Sequence, residues 1–352
     1  MRILVFNWRD VKNPARGGAE IYTHEIFKRL AKRGYKITLF TSEFKGCKKE
    51  EVVDGIKIVR CGGKYFVYRN AKKFYKESKF DLVIDEINTI PFFTPKFVEI
   101  PVVALIHQLC REFWFYETPF PLSFFGYMLE NSWLKMYSRI PTITVSDSTK
   151  NDLIRLGFEN VFVVPNGINV QLLEKLPEKA EKPTILFLGR MKKAKRPGDV
   201  VKALGEVRKR IEAELWMVGD GYLRKKLEKF AGKNVKFFGY VDERTKWELV
   251  RKAWVLAVPG VREGWGQVVT DACALGTPAV GYNIHGLRDS IVDGKTGLLV
   301  QPNPKELAAA LVTLLENKKL RKKLGRNALS HARKFSWDRS AKKFERIIGE
   351  FA

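Results

Sequence analysis

Two carboxylates and two cations in the second half of the chain are candidates to act on one ligand. Glu263 and Asp271 lie in the stretch from Val258 to Ala274, VPGVREGWGQVVTDACA, and Arg190 and Lys195 lie in the loop GRMKKAKRP. A guanidinium can hold phosphate oxygens through two parallel hydrogen bonds, so the cations can place two fixed positive charges beside a diphosphate. The alternative is that all four side chains are simply solvated, as most charged residues are.

The carboxylates belong to a strand, turn and helix pattern. Trp254 to Val258 is a short apolar run that predicts a parallel strand, and apolar residues at helical spacing follow until a Gly-Thr-Pro stop. Glu263 therefore falls on the loop before the helix, and Asp271 about two turns inside it. Ligands of open α/β sheets bind at the carboxyl ends of strands. Gly264 and Gly266 let the backbone approach such a ligand and leave the helix N-terminal amides free for an anion.

The first half of the chain offers further candidates at strand ends. An apolar strand from Arg2 to Asn7 leads to the pair Gly17 and Gly18, which open an amphipathic helix, a layout that can cradle phosphate. The pattern lacks G-x-G-x-x-G, and a glycine pair also serves tight turns between strand and helix for steric reasons. His107 directly follows the strand from Val102 to Ile106, where a histidine is as often structural as functional.

The alternation of strands and helices along all 352 residues predicts an α/β protein with two doubly wound, Rossmann-like domains. The turn Pro165-Asn166-Gly167 closes a first domain, 1–167, and a second domain spans 168–336. In the second domain, the loop from Asn283 to Ser290 presents the backbone amides of Gly286 and Leu287, which could hold an anion.

Composition restricts the partners and the compartment. A net charge of +25 predicts attraction to anions, whether nucleic acid, anionic lipid headgroups or phosphorylated small molecules. Cys47, Cys61, Cys110 and Cys273 show neither pairing nor metal-ligand spacing, which indicates a reduced, cytoplasmic compartment. No run is suited to a signal peptide or to a bilayer span, so we expect a protein that is soluble or lies on a surface. Abundant Lys and Glu with few Gln would suit a heat-adapted organism.

An aromatic stretch from residue 111 to residue 139, REFWFYETPFPLSFFGYMLENSWLKMYSR, is the least ordinary part of the chain. Two interpretations stay open: an irregular helical segment packed under the sheet, or a surface that faces a lipid or an acceptor. In the second case Trp114 and Phe124 would contact an anionic membrane, and changing them to Ser would alter vesicle flotation. The protein would then lie at the inner face of the membrane.

Four motifs together resemble the retaining glycosyltransferases of family four, which have the GT-B fold. They are the E-x7-E signature that begins at Glu263, the GR-x4-K loop at Arg190, the GGAE-type loop at Gly17 and a VPNG turn before residue 168. In that family the first acid binds donor-sugar hydroxyls and the second binds the ribose of the nucleotide. Here Asp271 replaces the usual second Glu, and Asp289 replaces another, each with a side chain one methylene shorter.

The resemblance implies two Rossmann-like domains that face each other across a cleft, with a final helix, 337–352, that crosses back to the first domain. It also implies that Arg190, Lys195, His107 and Glu263 are catalytic. The implied donor-binding set is larger: Gly17, Gly18, Arg190, Lys195, Glu263, Gly264, Gly266, Asp271, Gly286 and Leu287. The cations and glycine amides would stabilise the charge that develops on the leaving diphosphate, at about 3 to 4 kcal/mol for each contact.

The predicted reaction moves a hexosyl group from a UDP- or GDP-linked sugar to a glycan or lipid-linked acceptor, with retention of the anomeric configuration. No cofactor is expected, and no metal, because the chain lacks an obvious D-x-D pair. A relative of the same fold could instead epimerise or hydrolyse the sugar nucleotide itself. Basic residues without a nucleic-acid-binding signature argue against nucleic acid as a partner, although a general anion binder stays open. A nicotinamide oxidoreductase would need the missing G-x-G-x-x-G.

Overall fold

A computed structural model describes residues 1–352, which fold into two compact units. Unit 1 contains residues 1–111, 124–167 and 336–352, and unit 2 contains residues 112–123 and 168–335. Each unit has its own parallel sheet with helices around it, which confirms the predicted α/β class. The short segment 112–123 falls within the predicted first domain but packs with unit 2.

Strands and helices alternate along much of the chain. The strands are β1 Arg2–Phe6, β2 Lys36–Thr41, β3 Glu50–Val53, β4 Ile56–Arg60, β5 Leu82–Ile87, β6 Val102–Ile106, β7 Thr142–Thr144, β8 Val161–Val163, β9 Thr184–Leu188, β10 Glu214–Val218, β11 Val235–Gly239, β12 Val255–Val258, β13 Ala279–Tyr282 and β14 Gly297–Val300. The helices are α1 Gly18–Lys32, α2 Phe66–Lys76, α3 Phe113–Glu117, α4 Leu122–Lys135, α5 Asp147–Arg155, α6 Pro197–Val207, α7 Arg224–Phe230, α8 Glu243–Lys252, α9 Gln267–Ala274, α10 Leu287–Ser290, α11 Pro304–Glu316, α12 Lys318–Ala332 and α13 Trp337–Gly349.

The sheet of unit 1 has the strand order β3-β4-β2-β1-β5-β6-β7-β8, and every neighbouring pair except β3 and β4 is parallel. Residues 3–6 of β1 are wholly buried, because an interior parallel strand is covered on both faces. The edge strand β3, EEVV, was not predicted from the sequence. Its residues alternate between exposed and half-buried, so it lacks the apolar run that marks the interior strands.

The sheet of unit 2 has the order β11-β10-β9-β12-β13-β14, and all its neighbours are parallel. One apolar cluster packs its sheet against α6 and α11, and a second packs it against α9 and α12. Because β9 and β12 are neighbours, the loops that follow them leave the sheet side by side at its carboxyl edge.

The final helix, α13, belongs to unit 1. The ring of Phe344 packs edge-on against Phe27 of α1 with centroids 5.4 Å apart, and Ser340 Oγ donates a hydrogen bond to Pro165 O at 2.6 Å. A Cβ added at Gly167 would lie 2.3 Å from Trp337 N, so the chain can pass the start of α13 there only with glycine.

Candidate active site

Lys195 and Glu263 form a direct ion pair in unit 2. Their side chains come from the loops after β9 and β12, which leave the sheet next to each other. The side chain of Lys195 is 32% exposed and that of Glu263 is 13% exposed. The structure thus brings together a cation and a carboxylate that lie far apart in the sequence but were both predicted to serve one ligand. Arg190 lies at the start of the same loop as Lys195, where it is exposed.

The loop after β9 is held in shape by its own backbone. Residues Lys193–Lys195 form a single 3-10 turn, and the buried side chain of Ala194 anchors it. The chain leaves the turn through Arg196, whose φ of 48° is in the left-handed region. Ala194 O accepts a hydrogen bond from Val261 N at 2.9 Å, which joins this loop to the loop that carries Glu263.

The backbone of Glu263 is fixed by the turn that opens α10. Glu263 N donates to His285 O at 3.2 Å, and a Cβ added at Gly286 would lie 2.2 Å from Glu263 O. Gly286 N donates to Asp289 Oδ2 at 3.1 Å, so the amide that was predicted to hold an anion has a carboxylate as its partner in this structure. The side chain of Leu287 is fully buried. The anion-binding role of Gly286 and Leu287 stays a prediction.

Gly264 and Gly266 lie between Glu263 and the first residue of α9. Gly266 is the N-cap of α9 with φ 86°, and a Cβ there would lie 2.9 Å from side-chain atoms of Leu287 and Ser290. Gly264, half-buried, lies between Glu263 and the buried Trp265. The left-handed φ and the close packing therefore both account for a glycine at position 266.

Asp271 is not a surface residue. It is 1% exposed, and it lies in the second turn of α9, closer to the helix start than the sequence predicted. Its carboxylate accepts hydrogen bonds from Asn169 N at 2.8 Å, Asn169 Nδ2 at 3.0 Å and Gln267 Nε2 at 3.1 Å. Burial raises the pKa of Asp271 to about 6, although these bonds act in the opposite direction. A ribose contact at Asp271 stays a prediction.

Lys192 is a neighbouring cation that the sequence did not single out. Burial and, to a smaller extent, the charges of Lys195 and Arg190 lower the pKa of Lys192 to about 8, against the opposite effect of the carboxylates of Glu117 and Glu263. Three basic groups and two acids therefore act on one another around the 3-10 turn. The sequence shows a basic loop, but not which of its lysines is withdrawn from water.

In unit 1 the glycine pair begins α1. Gly17 is the N-cap, and its N–H donates to Glu20, which also pairs with Arg9 at 2.8 Å. A Cβ added at Gly18 would meet no protein atom within 4 Å. The requirement for a tight turn therefore does not explain Gly18, and the space beside it is open.

His107 lies at the end of β6, as predicted, and is 7% exposed. Its Nε2 is 3.1 Å from Glu86 Oε1, and the ring packs edge-on against Tyr22 with centroids 5.1 Å apart. Glu86 is itself buried and also accepts a hydrogen bond from Thr23. Sequence reasoning missed Glu86; a carboxylate in the apolar strand LVIDEI was the available signal.

The aromatic stretch divides between the two units. Trp114, on α3, is 7% exposed and packs within unit 2, so the prediction that it faces a lipid is wrong. Phe124 and Phe125 of α4 are 46% and 54% exposed, and Met128 and Leu129 are exposed as well. A lipid-facing role for α4 stays a prediction. No helix of the chain has the length and apolar character to cross a membrane.

No group of three or more His, Cys, Asp or Glu side chains is arranged to hold a metal ion. The expectation that the site works without a metal or cofactor stays a prediction.

Two family descriptions match the chain. "Glycosyltransferase Family 4" matches residues 16–172, and "Glycosyl transferases group 1" matches residues 169–331. The chain belongs to the family-four, group 1 glycosyltransferases and has their GT-B fold, as the sequence motifs implied.

Individual relatives agree with this family. The uncharacterized glycosyltransferase MJ1178 of Methanocaldococcus jannaschii is 30% identical over 215 residues, which cover 60% of this chain and 59% of that protein. The phosphatidyl-myo-inositol mannosyltransferase of Mycobacterium leprae is 28% identical over 295 residues, covering 80% of this chain and 76% of that protein. A solved structure, Anabaena Alr3699/HepE in complex with UDP and glucose, has a TM-score of 0.74 at 16% identity, covering 99% of this chain and all of that one (100%).

The extent of these matches limits what they establish. MJ1178 is matched over 59% of its own length, and the D-inositol 3-phosphate glycosyltransferase of Paenarthrobacter aurescens, which is 36% identical over 174 residues, over 41% of its own length. The likeness to Alr3699/HepE at 16% identity establishes the fold alone. The activity, substrates and partners of this chain must therefore be inferred from the chemistry of its own residues.

Proposed function

We propose that this chain is a retaining glycosyltransferase that moves a hexosyl group from a UDP- or GDP-linked sugar to a glycan or lipid-linked acceptor. One observation carries the proposal: Lys195 and Glu263, which the family uses for donor diphosphate and donor sugar, are in direct contact at neighbouring strand ends. The UDP and glucose bound to Alr3699/HepE support a nucleotide-sugar donor, and the phosphatidylinositol named for the mannosyltransferase supports a lipid-linked acceptor.

The chemistry follows from where charge develops. Breaking the bond between the anomeric carbon and the diphosphate leaves negative charge on the diphosphate oxygens, which Arg190 and Lys195 would stabilise. Such preorganised contacts contribute about 3 to 4 kcal/mol each. Glu263 would accept hydrogen bonds from sugar hydroxyls, and its pairing with Lys195 would hold that ammonium group in place before the donor binds. The roles of His107 and of Gly17 and Gly18 rest on the family resemblance.

The first experiment tests the donor. UDP, GDP and their sugar conjugates are screened by thermal shift, and the products of the stabilising donor are then analysed with and without added acceptors. Lys195→Ala should abolish the shift and lower turnover by about 10² or more. Lys233→Ala, an exposed lysine elsewhere in unit 2, is the matched control and should behave as wild type.

The other outcomes are equally informative. A new sugar nucleotide or free sugar without any acceptor would favour epimerisation or hydrolysis. No stabilisation by any nucleotide at millimolar concentration would overturn the donor site and turn attention to polymeric anions.

We also infer that α4 contacts an anionic membrane, which would place a cytoplasmic protein at the inner face of the membrane. The helix exposes Phe124, Phe125, Met128 and Leu129, and the chain that carries them has a net charge of +25. Apolar side chains that enter the headgroup region, together with an overall positive charge, fit an anionic lipid surface.

Vesicle flotation tests this contact. The double variant Phe124→Ser, Phe125→Ser should bind phosphatidylglycerol vesicles more weakly than wild type. Phe230→Ser removes an aromatic ring that is 74% exposed on α7 and should bind as wild type does. Equal flotation of wild type and the double variant would exclude α4 as the contact.

A further inference from the structure

The segment 112–123 is an unusual part of the chain because it interrupts unit 1. Residues up to 111 and from 124 to 167 belong to unit 1, whereas the residues between them pack with unit 2. The segment contains the short helix α3, Phe113–Glu117, which packs against the 3-10 turn Lys193–Lys195. We call residues 112–123 the bridging segment.

Glu117 of the bridging segment binds the backbone of that turn. Its Oε1 accepts a hydrogen bond from Ala194 N at 2.8 Å. Tyr222 Oη lies 3.3 Å from both Glu117 carboxylate oxygens and accepts a hydrogen bond from Lys193 N at 2.8 Å. Two consecutive amides of the turn are thus held by one carboxylate and one hydroxyl group. Backbone amides at the start of a short turn need such acceptors, since the turn itself does not supply them.

The other end of the bridging segment meets the second loop of the site. Glu112 Oε2 lies 3.4 Å from Arg262 Nη1, and Arg262, only 6% exposed, immediately precedes Glu263. Between the two acids, Phe113 places its ring 4.5 Å from Lys192 Nζ, and Trp114 is buried. One short segment therefore touches both the loop that carries Lys195 and the loop that carries Glu263.

We propose that Glu117 is a positioning residue, which fixes the 3-10 turn and so sets the place of Lys195 Nζ beside Glu263. This inference rests on the proposed function for its effect on turnover. Glu117 does not itself act on the donor; it acts through the backbone of Ala194. A misplacement of about 1 Å at a reacting site can cost about 10² in rate, so a loosened turn should lower turnover strongly.

Substitutions separate the hydrogen bond from the charge. Glu117→Ala removes the acceptor and should lower kcat by about 10². Glu117→Gln keeps an acceptor for Ala194 N and should stay within about threefold of wild type, since less than 1 kcal/mol corresponds to that factor. Tyr222→Phe frees the Lys193 amide and removes the hydroxyl group beside the Glu117 carboxylate, but it leaves the Ala194 amide its acceptor, so it should give an intermediate loss. Glu212→Ala, an exposed acid of unit 2, is the control and should leave kcat unchanged.

A measurement that does not depend on activity completes the test. Hydrogen exchange of the amides of Lys193 and Ala194 should accelerate at least about tenfold in Glu117→Ala, which corresponds to the loss of a hydrogen bond that contributes about 1.4 kcal/mol. In Glu117→Gln the exchange rates should be unchanged. A second outcome is that Glu117→Ala exchanges faster while the wild-type protein transfers no sugar from any donor. That combination would overturn the proposed function and leave the positioning role standing.

The reverse result overturns the positioning role alone. In that case the wild-type protein transfers sugar, and Glu117→Ala keeps the exchange rates and the turnover of wild type. Equal loss of turnover in Glu117→Ala and Glu117→Gln would also overturn it, because charge rather than the hydrogen bond would then be decisive. Should Glu117→Ala fail to fold, Tyr222→Phe still decides, since it must both accelerate exchange at Lys193 and lower turnover. Unchanged turnover despite faster exchange would overturn the positioning role.

Discussion

Asp271 accepts hydrogen bonds from both the backbone and the side-chain nitrogen of Asn169, at 2.8 and 3.0 Å. Asn169 lies at the start of the segment 168–335 of unit 2, and Asp271 lies in α9, so the carboxylate ties the start of that segment to the helix that follows Glu263. Because Asp271 is almost wholly buried, ionising it is unfavourable, and its pKa rises to about 6. The burial of this carboxyl, which the hydrogen bonds from Asn169 only partly offset, makes the stability of the fold depend on pH.

Asp271→Asn should change that dependence. A carboxyl whose pKa is raised from 3.8 to about 6 by folding stabilises the fold fully below about pH 4, and this contribution is lost as the pH rises through 6. The unfolding free energy of wild type relative to Asp271→Asn should therefore fall by about 3 kcal/mol between pH 4 and pH 7. Urea unfolding at intervals of one pH unit measures it. The control Glu212→Gln, at an exposed acid, should show the same dependence of unfolding free energy on pH as wild type. If the curve of Asp271→Asn also ran parallel to that of wild type, the argument from burial would be wrong.

Glu263→Ala should separate sugar recognition from nucleotide binding. Under the proposed function, the carboxylate would bind sugar hydroxyls, whereas Arg190 and Lys195 would bind the diphosphate. Turnover of the sugar donor should therefore fall by about 10², and affinity for the free nucleotide should change by no more than about threefold. Titration calorimetry with the nucleotide, beside turnover with its sugar conjugate, measures both. An equal loss in the two would mean that Glu263 acts mainly by holding Lys195.

Gly286→Ala should be costly for a reason that Gly294→Ala does not share. Both glycines have positive φ, 80° and 67°, a range that residues with a side chain rarely adopt, so alanine adds backbone strain at each position. Only at Gly286 would the new Cβ lie 2.2 Å from Glu263 O; at Gly294 nothing lies within 4 Å. Overpacking adds about 1 to 3 kcal/mol.

Urea unfolding and turnover per folded molecule measure the two effects. Gly286→Ala should lose more stability than Gly294→Ala and also lose turnover, because the backbone of Glu263 must move. Gly294→Ala should keep its turnover. Equal stabilities would show that the turn at Gly286 relaxes without moving Glu263.

The strand ends of the site could be predicted from the sequence because interior parallel strands are short apolar runs with a turn after each. That pattern located the loops after β9 and β12, and the family motifs then identified Lys195 and Glu263, which the structure finds in contact. The pairing itself could not be derived from the pattern. It depends on the order of strands in the sheet, which places β9 beside β12.

The sequence could not predict buried polar residues whose hydrogen-bond partners lie far away in the chain. The sequence pattern does not show that Asp271 is buried, because Asn169, which donates hydrogen bonds to its carboxylate, lies far away in the chain. Glu86 lies in an apolar strand, and its partner His107 belongs to the next strand of the sheet. Glu117 lies in an aromatic stretch without periodicity, and only the packing of residues 112–123 on unit 2 brings it to Ala194.

Gly18→Ala should distinguish a binding loop from a merely tight turn. An added Cβ at Gly18 meets no protein atom within 4 Å, and alanine favours a helix over glycine by up to about 1 kcal/mol, so stability should stay equal or rise slightly. If the donor lies against this loop, the methyl group displaces it, and turnover should fall by about 10². Gly205→Ala on α6 has equally open surroundings and is the control for thermal melts and turnover. Unchanged turnover in both variants would remove Gly18 from the site.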